Sequence, residues 1–140
     1  AAISKKDIIV LSGGDNVSPA RIESLLTLEA EIHQAMVVGD KRPHLVAVLV
    51  PEEEFLREFA KRTGKPADLT AIHDDPALVA ALSAVVERVN RDLSGYERTR
   101  RFVVAKAPFT VDNGMMTPTL KVRRHVISAA YNEALEELYA

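Results

Sequence analysis

Two apolar runs in the first half of the chain constrain its fold more than any other feature. They cover residues 32–38 and residues 45–50. Gly39, Asp40 and Pro43 lie between them, and residues of these types form turns. Both runs are rich in aliphatic and β-branched residues, and both are too short to cross a bilayer. We therefore predict a β-hairpin with a loop of five or six residues.

Helical patterns accompany this hairpin. Helix starts are indicated at Ser18-Pro19, at Pro51 and at Asp75-Pro76, where a capping residue or a first-turn proline precedes an apolar pattern. The clearest helix follows Asp75, with apolar residues at spacings of three and four as far as Leu93. Short strands are expected over residues 8–11 and 102–104, and a last helix over residues 126–138. These elements predict an α+β domain with a small mixed or antiparallel sheet, including the hairpin, covered by helices.

The bulk composition limits the function classes. With 140 residues and 47% hydrophobic content, the chain can bury one ordinary core, so we expect a single domain over residues 1–140. The net charge of −2 and an aromatic content of 5% without tryptophan disfavour nucleic-acid binding. The absence of cysteine excludes disulfides and thiolate metal sites. The four histidines show no metal-ligand spacing, so no metal site is predicted.

A dense turn follows the first strand and contains Ser12, Gly13, Gly14 and Asp15. Paired glycines allow a backbone to approach a ligand closely, and the next helix N-terminus can attract an anion. No Gly-Lys-Ser/Thr sequence follows, so this is not a P-loop. A tight strand-to-helix turn without a binding role explains the same residues.

Lys121 follows a loop rich in glycine, proline and threonine over residues 113–119. An ammonium on a flexible stem suits a phosphate or carboxylate that develops charge during a reaction. A solvated lysine in a basic stretch with Arg123 and Arg124 is the alternative. The chain has two basic clusters, the first from Arg98 to Arg101 and the second from Lys121 to Arg124, and both are expected to be solvated faces or contacts to a missing domain.

Read together, these segments resemble the C-terminal domain of the adenylate-forming superfamily, which includes acyl-CoA synthetases and luciferases. The segment KKDIIVLSGGDNVSPARIE resembles the hinge motif, ending at Ile22-Glu23, and IHQAMVVGDKRPHLVAVLVP resembles the hairpin that follows it. The closing motif, whose common form has Ser-Gly-Lys, is similar to NGMMTPTLK. This longer form, with Tyr96-Glu97 upstream, resembles the long-chain fatty acid–CoA ligases.

The resemblance implies that this is the mobile C-terminal domain of an AMP-forming acid–thiol ligase, inactive by itself. The N-terminal adenylate-binding domain would be its partner and is absent from these 140 residues. The complete enzyme would use ATP, Mg²⁺ and CoA, first forming acyl-AMP from a fatty acid and then transferring the acyl group to CoA. No cofactor is expected to bind this domain alone.

The resemblance also implies roles for particular residues. Lys121 would be the catalytic lysine of the adenylation step, and the domain would rotate about a hinge at Lys6, or at Asp7. The turn formed by Ser12, Gly13, Gly14 and Asp15 would border the pantetheine channel. A non-catalytic interaction module with the same fold, or another adenylate-forming ligase, is the alternative. We expect no nucleic-acid partner, and a cytoplasmic location with at most peripheral membrane contact.

Overall fold

The computed structural model describes residues 8–140. Strands β1 (Ile9–Val10) and β2 (Asn16–Val17) form a small antiparallel hairpin. Strands β3 (Ile32–Val38), β4 (Leu45–Pro51) and β5 (Thr99–Val104) form the main sheet in the order β3-β4-β5. β3 is antiparallel to β4, whereas β5 is parallel to it. The helices are α1 (Pro19–Thr27), α2 (Glu53–Thr63), α3 (Leu69–Ile72), α4 (Pro76–Asn90), α5 (Arg124–Ala130) and α6 (Asn132–Glu137).

The central strand β4 is buried on both faces along its whole length. Leu45, Ala47 and Leu49 belong to a core that includes residues of α1, α2 and α4. The alternate residues Val46, Val48 and Val50 belong to a second core, with residues of α5 and α6. Because successive side chains of a strand point to opposite faces, one continuous apolar run supplies both cores. The sheet therefore separates two layers of helices.

Capping residues set the helix boundaries. The hydroxyl of Ser18 accepts a hydrogen bond from the backbone N–H of Arg21, and Asp75 accepts bonds from Ala77 and Leu78 at the start of α4. Gly64 ends α2 with a left-handed φ of 69°, a conformation that glycine adopts without steric cost. These boundaries agree with the starts predicted at residues 18 and 75.

The predicted fold class, α+β with a small mixed sheet, is confirmed, and the main hairpin has the expected loop between Val38 and Leu45. Several details differ from the prediction. Pro51 ends β4, so α2 begins at Glu53 instead. The first strand, β1, is shorter than the predicted residues 8–11, and it pairs with β2. Neither β2 nor α3 was predicted. The last helix is divided into α5 and α6 at Tyr131, whose φ of −111° and ψ of 17° are not helical.

Within residues 8–140, no helix has both the length and the apolar character that a membrane span requires.

Candidate functional site

Lys121 lies at the tip of a short hairpin that precedes α5. An isolated antiparallel bridge between Met116 and Val122 closes this hairpin. At the tip, the N–H of Thr117 donates to the carbonyl of Lys121 over 2.8 Å, and the N–H of Lys121 donates to Thr117 Oγ1 over 3.1 Å. Lys121 itself is exposed, and its ammonium forms no ion pair with a carboxylate of residues 8–140. An ordered backbone therefore carries an accessible cation. We call residues 116–122 the Lys121 hairpin.

Leu120 precedes the lysine in a strained conformation. Its φ is 62°, in the left-handed region, which costs an L-residue roughly 1–2 kcal/mol. The strain is held in place by a 2.8 Å hydrogen bond from its N–H to the carbonyl of Thr117. The Leu120 side chain is 70% exposed. The tip of the hairpin thus presents an apolar side chain and a cation side by side.

Gln34 holds the segment that leads into the Lys121 hairpin. Its Oε1 accepts the N–H of Phe109 over 2.8 Å, and its Nε2 donates to the carbonyl of Phe109 over 2.9 Å. The side-chain amide therefore pairs with one residue's backbone in both directions, as a neighbouring strand would. Phe109 is 2% exposed and packs in the second core. The start of the loop is consequently fixed to β3.

Glu23 and Arg124 hold the other end of the loop. Glu23 Oε2 accepts the N–H of Val37 over 2.8 Å, and Arg124 Nη1 donates to the carbonyl of Val37 over 2.9 Å. Arg124 also pairs with Glu23 through both guanidinium nitrogens. The side chains of Glu23 and Arg124 are 12% and 25% exposed, so this contact is largely shielded from water. It joins α1, β3 and the first residue of α5.

These elements border an open groove of about 1300 Å³. Lys121, Arg123 and Arg124 line it, together with Glu23 and residues of α1 and β3. Among residues 8–140, these three cations outnumber the one carboxylate of the lining, and that carboxylate is paired with Arg124. The groove can therefore receive an anionic group, to which Lys121 offers three donors.

The glycine turn lies elsewhere, at the end of the β1–β2 hairpin. Ser12, Gly13, Gly14 and Asp15 are all exposed, and none of them lines the groove. The N–H of Ser12 donates to the carbonyl of Arg42 over 2.8 Å, which attaches the turn to the loop between β3 and β4.

The two glycines of this turn differ in what the fold requires of them. Gly14 has a φ of 94°, which L side chains rarely adopt, whereas the φ of Gly13 is not positive. A Cβ added at either glycine would meet no atom within 4 Å. The backbone is consequently open to an approaching molecule on this side.

The structure thus brings the four predicted turn residues together and places Lys121 on a separate, accessible hairpin. The hinge predicted at Lys6 or Asp7 lies outside the described residues. Arginines of the first basic cluster are used within the fold: Arg98, Arg100 and Arg101 donate to the carbonyls of Leu93, Gly95 and Leu138. All three bonds are made within the domain, so these arginines contribute to the fold.

Sequence reasoning missed the anchoring roles of Gln34 and Arg124, and assigned none to Glu23. One signal was available: Glu23 follows Ile22 on a short helix whose residues Ile22 and Leu26 are 0% exposed. A carboxylate that packs against such a stripe and is withdrawn from water requires a partner, and the Glu23 side chain is 12% exposed. Nothing in the local pattern indicated that the partner is Arg124, which lies 101 residues away.

No group of three or more His, Asp or Glu side chains that could hold a metal ion occurs in residues 8–140.

Similar proteins were found among characterised sequences and solved structures. A long-chain-fatty-acid–CoA ligase of Mycobacterium tuberculosis is 36% identical over 137 residues, which are 96% of this chain and 23% of that protein. The adenylation domain of a carboxylate reductase from Mycobacterium chelonae superposes with a TM-score of 0.80 at 29% identity, covering 96% of this chain and 20% of that one. An AMP complex of the adenylation–carrier didomain of a carboxylic acid reductase from Segniliparus rugosus gives a TM-score of 0.78 at 30% identity, covering 97% and 18%.

The chain therefore spans about a quarter or less of the length of each of these proteins. A family model described as the AMP-binding enzyme C-terminal domain matches residues 6–140. That match covers nearly the whole chain and agrees with the fold and with the relatives above. This chain belongs to the family of AMP-binding enzyme C-terminal domains.

Proposed function

We propose that this chain is the mobile C-terminal domain of a long-chain fatty acid–CoA ligase of the AMP-forming type. The complete protein then contains an N-terminal domain that binds ATP and the fatty acid. Support comes from the ligase of M. tuberculosis, which is 36% identical over nearly the whole of this chain. The observation that carries the proposal is the accessible ammonium of Lys121 on its ordered hairpin.

In the first step, a carboxylate oxygen of the fatty acid attacks the α-phosphorus of ATP, and pyrophosphate leaves. Two anions must approach each other, and negative charge develops on the phosphoryl oxygens. Lys121 supplies a cation between them, which offsets the repulsion and stabilises the transition state. Its hairpin can place the ammonium outside its own domain, because the residue is exposed and forms no ion pair within residues 8–140.

In the second step, the CoA thiol attacks the acyl carbonyl of acyl-AMP, and AMP leaves. We propose that rotation of the domain about Lys6 or Asp7 withdraws Lys121 and brings the glycine turn to the active site. The open backbone at Gly13 and Gly14 leaves room for a pantetheine arm. We place Mg²⁺ with ATP in the other domain, since the described residues offer no cluster of ligands for it. We place the enzyme in the cytoplasm, with at most peripheral membrane contact.

The test is Lys121→Ala in the full-length protein, with the two half-reactions measured separately. Adenylation, followed as pyrophosphate release, should fall at least about a hundredfold, as when one preorganised transition-state donor is removed. Thioester formation from supplied acyl-AMP and CoA should stay within about threefold of the wild type, because Lys121 acts only in the first step.

Lys61→Ala is the matched control, since Lys61 is an exposed lysine on α2. It should leave both half-reactions unchanged. Equal loss of both half-reactions in Lys121→Ala would contradict the assignment, and no loss in either would favour a non-catalytic interaction module.

A further inference from the structure

We propose that Glu23 and Arg124 are positioning residues for Lys121: they fix the Lys121 hairpin to the edge of the main sheet so that the lysine reaches the reacting phosphate in one defined position. This inference rests on the adenylation role proposed for Lys121. The named pair does not touch substrate in this scheme. It acts by holding the segment that carries the lysine.

The argument begins at the open edge of the sheet. β3 is an edge strand, and Val37 in it lies opposite Ala47 of β4. Since the N–H and C=O of Val37 bond to Glu23 and Arg124, both groups point away from β4. The carboxylate accepts the N–H and the guanidinium donates to the C=O, which are the two bonds that another strand would make. The ion pair therefore takes the place of a neighbouring strand and closes this part of the edge.

The second step connects this contact to Lys121. Arg124 follows Lys121 by three residues, a stretch that spans at most about 10 Å when fully extended. Over that stretch the chain is held further, because Val122 bridges to Met116 and the N–H of Arg123 donates to the carbonyl of Met115 over 2.8 Å. Few free torsions remain between the ion pair and the lysine backbone.

The third step concerns the other leg of the loop. Gln34 attaches Phe109 to β3. Gln34 and Val37 lie on this same strand, three residues apart. Both ends of the loop are therefore fixed to one strand, which acts as a common frame. The two attachments differ in kind: the first is a neutral amide, and the second is a charged, largely buried pair whose loss leaves the N–H of Val37 without that acceptor.

Glu23→Gln keeps the size of the side chain and removes its charge. Its amide can present only one acceptor oxygen, so bonds to Val37 and to both guanidinium nitrogens cannot all persist. We expect the hairpin to shift, and a displacement of about 1 Å can lower a rate on the order of a hundredfold. Adenylation should therefore fall by roughly 10- to 100-fold in kcat, with the KM for ATP within about twofold of wild type, because the affected group acts in the transition state.

The decisive experiment compares four full-length proteins: wild type, Glu23→Gln, Lys121→Ala and the double variant. If Glu23 acts through Lys121, Glu23→Gln causes no further loss of adenylation once Lys121 is alanine, and thioester formation from supplied acyl-AMP stays near the wild-type rate. If Glu23 only maintains the fold, its substitution lowers both half-reactions and lowers them equally in the Lys121→Ala background. The second pattern overturns the inference.

Two further variants complete the test. Glu29→Gln is the matched control, because Glu29 also accepts a guanidinium hydrogen bond, from Arg88 over 2.7 Å, and forms no hydrogen bond or ion pair with residues 116–122. It should leave both half-reactions within about twofold of wild type.

Arg124→Lys is the milder variant should Glu23→Gln fail to fold: it keeps the charge but cannot bridge Glu23 and Val37 as a fork. It should lower adenylation selectively, and an unchanged rate would overturn the inference. If Lys121→Ala itself leaves adenylation intact, the proposed function fails. If that variant loses adenylation while Glu23→Gln and Arg124→Lys do not, only the positioning role fails.

Discussion

Leucine substitutions at Gly13 and Gly14 separate what the glycine turn does for the fold from what it does for the reaction. The two glycines are adjacent and equally open, since a Cβ at either position meets nothing within 4 Å. They differ in backbone conformation, because only Gly14 has a positive φ, of 94°. Gly13→Leu and Gly14→Leu therefore add the same volume to the same turn at different conformational cost.

The conformational cost can be worked out from these observations. At Gly14, an L-residue in a left-handed conformation lowers the free energy of unfolding by roughly 1–2 kcal/mol. At Gly13, φ is not positive and an added Cβ has open space around it, and an exposed substitution of this kind changes stability by about 0.5 kcal/mol or less. Thermal unfolding of the full-length protein should therefore detect Gly14→Leu but not Gly13→Leu.

The kinetic expectation is different. If a pantetheine arm passes along this turn, both leucines obstruct it, and thioester formation from supplied acyl-AMP should fall at least about tenfold in both variants. Adenylation should stay near the wild-type rate in Gly13→Leu. A Gly13→Leu protein with normal thioester formation would refute the channel role and leave the segment as a turn. Equal thermal destabilisation by both leucines would refute the conformational argument.

Two predictions concern stability. Thr99 is 2% exposed, and its hydroxyl has no hydrogen-bond partner within residues 8–140. The nearly isosteric Thr99→Val should therefore raise the free energy of unfolding, measured by chemical denaturation, by about 1 kcal/mol. A decrease would indicate that the hydroxyl forms a hydrogen bond. The hydrogen bond from Lys65 lowers the pKa of Asp75 below its usual value, so this carboxylate stabilises the folded state fully above about pH 4 and loses its contribution as the pH falls through the lowered pKa. Asp75→Asn, which retains a capping oxygen, should make unfolding less acid-dependent in that range, and an identical pH profile would contradict the assignment.

The parts of the fold that could be predicted are those in which local pattern and packing agree. The run that became β4 is apolar at every position because both faces of the strand are buried, and Asp75-Pro76 marks the start of α4 with its own capping group. At Leu93 the same reasoning placed the end of α4 too late in the chain. Leu93 continues the apolar spacing of α4 and is 6% exposed, but the helix ends at Asn90. Its apolar spacing placed Leu93 on the helical stripe, although the helix ends three residues before it.

The candidate site was predictable only where it is local. The exposed position of Lys121 follows from a loop rich in turn residues, and the glycine turn follows from its own composition. The contacts that hold the loop are not local: Gln34 reaches Phe109 across 75 residues, and Glu23 reaches Arg124 across 101. The sequence around Glu23 and Gln34 does not show which distant backbone groups their side chains will bond. Only the folded topology, which brings both ends of the loop to β3, identifies those partners.

The division of β4 between two cores has a consequence for how the chain is made. One side of the strand packs against helices that the ribosome releases soon afterwards, at residues 53–63 and 76–90. The other side, with Val46, Val48 and Val50, packs with residues that follow much later in the chain, among them Phe109, Ile127 and Leu135. During synthesis this apolar valine surface is therefore not fully buried until nearly eighty further residues have been translated. A protein shortened ahead of Arg124 would lack Ile127 and Leu135 and would leave part of that surface exposed, which is the kind of species that chaperones and proteases recognise.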